Sequence, residues 1–241
     1  MAWYKDWFDS KYYHLLYKNR DYNEAALFLD NISNEFKKKN ARILDVACGK
    51  GRHAKYLNSL GFDVTGVDLS LNSIEYAKKY ENKKLKFHQH DMRNVFEENK
   101  FDIVTNLFTS FGYFDDTLDD QKAINSMAGN LKKGGLLLID FMNVKKVIMN
   151  LVASEIKVIE DVKFKISREI INNHIIKTIN IEDEKKTFSH QEKVHCLTLF
   201  DFTLMLEKAK MKIVNVIGDY NLNHFNAQTS DRLIILAQKN F

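Results

Sequence analysis

Apolar positions follow two rhythms along the chain, and the changes between them divide it into three stretches. At the start, Trp3, Trp7, Phe8, Tyr12, Leu15 and Leu16 recur at helical spacing. Ala25, Ala26, Phe28, Leu29, Ile32 and Phe36 repeat that spacing between Tyr22 and Lys39. Two amphipathic helices are predicted there. From residue 42, short apolar runs take over: 42–46, 62–68, 85–90, 101–106 and 136–141. Helical stretches separate them, one ending at Leu60 before a C-terminal Gly61, one capped by Ser70, one over 119–131. Strands with little polar alternation, joined by helices, predict a parallel α/β sheet covered on both faces.

After about residue 143 the period falls to two. Residues 156–171, 174–181 and 185–198 read as extended strands, with Asn172-Asn173 suited to a tight hairpin turn. A helix over 202–210 follows, then strands over 212–217 and 232–238 joined by a connection too short for a helix. The expected architecture is a Rossmann-like, doubly wound seven-stranded sheet, mostly parallel with an antiparallel last strand. An antiparallel β insertion follows its fifth strand. The expected divisions are a helical segment (1–40), a core (41–150 and 200–241) and the insertion (151–199).

Composition narrows the function classes. The chain has 241 residues and no proline, 30 lysines against six arginines, and a net charge of +4. The densest basic run, Lys37-Lys38-Lys39, is short and ends a helix, where cations suit the dipole. Nucleic acid is therefore not the expected partner. No apolar run approaches a membrane span, no signal-peptide core follows Met1, and two cysteines make no disulfide framework. A cytoplasmic protein without membrane attachment is expected.

The chemistry concentrates at strand ends. Leu44-Asp45-Val46-Ala47-Cys48-Gly49-Lys50-Gly51-Arg52-His53-Ala54 places a glycine-rich turn between the first strand and its helix, a nucleotide-binding position. Gly49, Gly51 and Ala54 satisfy the dinucleotide pattern, so an NAD(P)-dependent oxidoreductase is the alternative. Asp45 argues against it, because a carboxylate there repels a pyrophosphate and attracts an ammonium or sulfonium. Asp68 ends the second strand, where it can accept from both hydroxyls of a ribose. Asp91-Met92 ends the third, suited to an adenine amino group and ring. Asn106-Leu107-Phe108 ends the fourth at the same carboxyl edge.

These residues resemble the class I S-adenosylmethionine-dependent methyltransferases over nearly the whole chain. Leu44–Gly51 matches that family's first motif, with Lys50 in place of its usual proline, and Val64–Ser70 matches the second. The resemblance implies S-adenosyl-L-methionine as cofactor. It assigns Asp45, Ala47, Gly49 and Gly51 to the methionine part, Asp68 and Leu69 to ribose and adenine, and Asp91 and Met92 to adenine. Asn106 and Phe108 join this set. Tyr12-Tyr13-His14, with Tyr17 and Arg20-Asp21-Tyr22, is similar to the N-terminal lid of glycine and amino-sugar N-methyltransferases. It adds Tyr13 and Arg20 to the expected cofactor site. The insertion resembles that of the amino-sugar enzymes, where it covers the active site or forms a dimer interface, so a homodimer is compatible with it.

The missing proline then bears on the acceptor. The Asn/Asp-Pro-Pro-aromatic motif of enzymes methylating DNA bases and glutamine side chains is replaced by Asn106-Leu107-Phe108-Thr109, and a Pro-Cys nucleophile is absent. A small-molecule acceptor, methylated at nitrogen or oxygen by in-line displacement, is expected. Tyr13, Tyr113, His190, His195 and Tyr220 are the candidate acceptor-side groups, and no catalytic base is singled out. Asp115-Asp116 and Asp119-Asp120 read as solvated turn and helix-start residues rather than metal ligands. A non-catalytic S-adenosylmethionine-binding regulator is the remaining alternative.

Overall fold

The computed structural model describes residues 3–18, 22–36, 40–184 and 186–240. Three helices open the chain where two were predicted: α1 (Trp3–Phe8), α2 (Lys11–Leu16) and α3 (Tyr22–Ser33), the first predicted helix being broken where the Ser10 side chain caps α2 by accepting from Tyr13 N–H. α3 is shorter than its periodicity predicts. Ser33 and Asn34 each donate a side-chain hydrogen bond to the carbonyl of Asp30, competing with continuation of the helix. Residues 37–39 lie outside the described ones.

The core then alternates β1 (Arg42–Val46), α4 (Arg52–Ser59), β2 (Asp63–Asp68), α5 (Leu71–Ala77), β3 (Leu85–Gln89), β4 (Phe101–Asn106), α6 (Thr117–Asn130), β5 (Leu131–Met142) and α7 (Val144–Met149). The insertion contributes β6 (Ser154–Ile159), β7 (Val162–Ile171), β8 (His174–Asp183) and β9 (Lys186–His195). The chain ends with α8 (Leu199–Lys208), β10 (Met211–Ile217) and β11 (Arg232–Lys239).

The main sheet has the order β10-β11-β5-β4-β1-β2-β3. β5, β4, β1, β2 and β3 pair in parallel, and β11 runs antiparallel to both neighbours. This is the expected seven-stranded topology. The buried run Leu137, Leu138 and Ile139 on β5 has apolar cover on both faces, as parallel strands require.

The insertion is a separate four-stranded sheet, β6-β7-β8-β9. The run expected as one strand over 156–171 is in fact two. Glu160 and Asp161 both take left-handed φ (50° and 66°) and close a two-residue hairpin between Ile159 and Val162. Neither is a glycine or asparagine, so the sequence carries no turn signal there. Asn172 and Asn173, at φ 48° and 60°, do make the predicted turn. One face of this sheet (Val162, Phe164, Ile166, Ile179 and Ile181) packs on Trp7 and Tyr12, giving α1 and α2 a core of their own, whereas Phe28, Leu29 and Ile32 of α3 pack into the main-sheet core.

Candidate active site

β1 and β2 leave the parallel sheet side by side, so Asp45 and Asp68 arrive at the same carboxyl edge. After β1 the backbone turns through left-handed φ at Ala47 (60°), Gly49 (53°) and Gly51 (79°). Cys48 N–H donates to Val67 O, and Gly49 N–H donates to Asp68 Oδ2 at 2.8 Å. Asp68 Oδ1 accepts from Ser70 N–H at 2.8 Å. The Asp68 carboxylate thus holds the glycine turn and the start of α5 together; burial pushes its pKa up.

The two glycines differ. A Cβ on Gly51 would lie 2.6 Å from the Phe87 ring, so glycine there serves close packing. A Cβ on Gly49 would meet no protein atom within 4 Å and would project into open space at the cavity wall.

Asp45 is 1% exposed. Its Oδ1 accepts from the Thr105 hydroxyl at 2.9 Å, while Oδ2 is buried without a hydrogen-bond partner among the described residues. Burial pushes its pKa up to about 7; Asp68 adds to the rise and Thr105 opposes it. A buried, half-satisfied carboxylate at a cavity wall is a seat for a cationic ligand group.

The cavity has a volume of about 310 Å³. Of the residues singled out in the sequence, Tyr13, Asp45, Ala47, Gly49, Asp68, Leu69, Asp91, Met92 and Phe108 line it. Gly51 lies behind the wall. Asn106 also lies behind it, fully buried: its amide donates to Val46 O at 3.1 Å, which ties β4 to the end of β1. Arg20 lies outside the described residues. Asp91 is on the wall, but its carboxylate is forked by Arg93, which donates through Nε (3.0 and 3.2 Å) and a terminal nitrogen (2.5 Å). Arg93 also reaches Asp119 at 2.7 Å, and these contacts hold Asp91 below the usual carboxylate range. Nothing in the periodicity marks Arg93 as this partner.

Another part of the wall is aromatic. Tyr4, Phe8 and Tyr13 from the N-terminal helices meet Tyr113 and Phe114 from the segment after β4. Ring centroids lie 5.0 Å apart for Phe8–Tyr13 and 5.4 Å for Phe8–Tyr113. Of the acceptor-side candidates, Tyr13 and Tyr113 reach the wall. His190 packs on Trp7 (4.8 Å), and Tyr220 is buried with its hydroxyl donating to Asp140 at 3.1 Å. His195 is buried, its Nδ1 2.6 Å from Asp120 Oδ2. Asp120, expected as a solvated helix-start residue, is fully buried because α6 turns it inward toward β9. His53, next to Arg52 in the wall, is held neutral by burial, its pKa lowered to about 3.

The sequence of residues 43–135 matches the family model described as a methyltransferase domain. Over 130 residues the chain is 30% identical to dTDP-3-amino-3,4,6-trideoxy-alpha-D-glucopyranose N,N-dimethyltransferase of Streptomyces venezuelae, covering 53% of this chain and 54% of that enzyme. The chain spans about half the length of such curated sugar N,N-dimethyltransferases. An S-adenosylmethionine-dependent methyltransferase from Clostridium acetobutylicum ATCC 824 superposes with a TM-score of 0.80 at 20% identity, covering 95% of this chain and 96% of that one. SAM-bound CalS10, an amino pentose methyltransferase from Micromonospora echinaspora, superposes with a TM-score of 0.72 at 20% identity, covering 96% and 98%. Residues 43–135 therefore match a methyltransferase domain, within a chain that has the fold of S-adenosylmethionine-dependent methyltransferases.

Proposed function

We propose that the protein binds S-adenosyl-L-methionine and transfers its methyl group to the nitrogen of a small amine of the amino-sugar class. The observation that carries this reading is the buried Oδ2 of Asp45, unpartnered among the described residues and set at a cavity wall beside Asp68 and the open flank of Gly49. Those residues fit the group: a carboxylate for an ammonium, a second carboxylate for a ribose, and a glycine where a Cβ would fill the ligand's space. A dinucleotide fits less well, since its pyrophosphate would approach the Asp45 side of the turn. When bound, S-adenosylmethionine supplies an activated methyl group.

The chain's own residues bind and orient. Asp45 neutralises the ammonium, and Asp68 keeps lone pairs for ribose hydroxyls while holding Gly49 and Ser70. Met92 and Leu69 offer apolar faces to the adenine. Tyr4, Phe8, Tyr13, Tyr113 and Phe114 form the acceptor end, where ring faces favour an amine passing to a cationic product. In this reading residues 1–40 are a lid, 41–150 and 200–241 the core, and 151–199 the seat on which the lid rests. The amino-sugar relatives support the acceptor class, and the resemblance of the N-terminal helices supports the lid.

Isothermal calorimetry tests the reading. The wild type is expected to bind S-adenosylmethionine saturably, and Asp68→Ala to lose binding while remaining folded. A wild type that shows no heat with S-adenosylmethionine but binds NADH would sink it.

A further inference from the structure

The wall of the cavity after β4 is built on backbone that two ordinary residues do not favour. Phe108 and Thr109 both take left-handed φ, 62° and 60°. For a β-branched threonine this is an outlier, sustained only where the surroundings over-determine it. What over-determines it is Asp140, on β5, fully buried and outside the cavity wall. Its Oδ2 accepts from Phe108 N–H at 2.9 Å and from the Tyr220 hydroxyl at 3.1 Å, and its carbonyl accepts from Thr109 N–H at 2.9 Å. Arg232, where β11 pairs with β5, donates through Nε to Asp140 Oδ1 at 2.8 Å and through a terminal nitrogen to Thr109 Oγ1 at 3.0 Å. Phe108 faces the cavity, and Ser110, Phe111, Gly112, Tyr113 and Phe114 follow it along the same wall.

We propose that Asp140, braced by Arg232, is a positioning residue for methyl transfer: it clamps Phe108 and Thr109 in the left-handed conformation and so sets the wall between the cofactor end and the acceptor end. It touches neither ligand. A small displacement of that wall misaligns the reacting groups at a large cost in rate. This inference rests on the methyltransferase reading above for its turnover arm only.

The test compares the wild type with Asp140→Asn, Thr109→Gly, their double variant and Arg232→Lys. Each is assayed for melting, for S-adenosylmethionine Kd by calorimetry, and for S-adenosylhomocysteine formation with dTDP-3-amino-3,6-dideoxyglucose. Asparagine turns an NH2 either toward Arg232 Nε or toward the Phe108 N–H and the Tyr220 hydroxyl, so Asp140→Asn is expected to raise Kd at least fivefold and lower kcat at least tenfold. Thr109→Gly removes the strain and is expected to recover most of both losses in the double variant. Arg232→Lys, the milder change, should move both readouts the same way by less, and it serves if Asp140→Asn does not fold. A folded Asp140→Asn that binds and turns over like the wild type overturns the proposal, and so does a loss that glycine at 109 leaves untouched. If the wild type binds S-adenosylmethionine but methylates nothing, the acceptor reading fails. The Kd comparison then still decides the role of Asp140.

Discussion

In the proposed reading, Asp45 is the residue at which stability and binding pull in opposite directions. Its pKa rises from the ordinary 3.8 to about 7 because burial disfavours the charge. For a carboxyl whose folded pKa exceeds its unfolded one, the folded state holds the proton more tightly. The associated stability is fully present below pH 3.8 and is lost as pH rises through 7, amounting to roughly 4 kcal/mol for a shift of this size. The ligand-free wild type should therefore melt higher at pH 6 than at pH 8. Asp45→Asn should abolish most of that difference, gain stability at pH 8 and lose affinity for S-adenosylmethionine. Calorimetry of the wild type in buffers of different ionisation enthalpy should also detect proton release on binding below pH 7. A melting temperature that rises with pH in both proteins would contradict the assignment. Asp45, Gly49 and Asp68 were legible in the sequence because motif spacing and strand ends determine where they emerge. Arg93 and Asn106 were not. Whether an Asp91 carboxylate is free or forked, and whether Asn106 points into a cavity or under it, depends on loop geometry that no period encodes.

At the scale of elements, α1 and α2 have six residues each, too short to hold helical structure in water by themselves. They depend on the insertion sheet. Trp7 and Tyr12 bury their rings against Phe164 and its neighbours. Glu192 on β9 accepts from Trp7 Nε1 at 2.8 Å and from the Tyr17 hydroxyl at 2.6 Å, with Lys177 3.4 Å away. On the other side, Ser70, the cap of α5, donates to Asp9 between the two helices. The helices that carry Tyr4, Phe8 and Tyr13 are thus strapped to both the insertion and the start of α5 at the carboxyl edge of the sheet. Phe164→Ala leaves a cavity of the kind that costs about 3–5 kcal/mol in a packed core. Hydrogen exchange should then accelerate over residues 3–16 and the insertion while amides of β1, β4 and β5 stay protected, and S-adenosylmethionine should bind more weakly. Uniform loss of protection, or none, would show that the two cores do not separate in this way. The rhythm marked the N-terminal helical stretch and the insertion strands, but neither the break between α1 and α2 nor the Glu160-Asp161 turn between β6 and β7. The packing of these helices and strands on each other was not legible either, since contacts such as Trp7 with Glu192 join residues 185 positions apart.

Across the whole molecule, one cavity collects three sources: acidic side chains from the parallel sheet edge, the left-handed segment after β4, and aromatic rings from helices that rest on the insertion. The polarity is divided. Asp45 and Asp68 occupy two strand ends and Asp91, forked by Arg93, a third, whereas Tyr4, Phe8, Tyr13, Tyr113 and Phe114 form an aromatic end with His14 next to Tyr13 on the wall. A hydroxyl acceptor would need a base beside it to raise its nucleophilicity; an amine needs only to arrive neutral and aligned. In the reading proposed above, the acceptor is an amine that loses its proton to solvent before binding. Two measurements check this. S-adenosylhomocysteine should form with a 3-amino sugar nucleotide and not with its 3-hydroxy counterpart. With the amine, kcat/KM at saturating cofactor should rise about tenfold per pH unit below the acceptor's own pKa and then level, and the break should move when an amine of different pKa is used. A break that stays fixed while the acceptor pKa changes would assign the proton to the protein instead, with Tyr13 and Tyr113 on the wall as the first side chains to substitute.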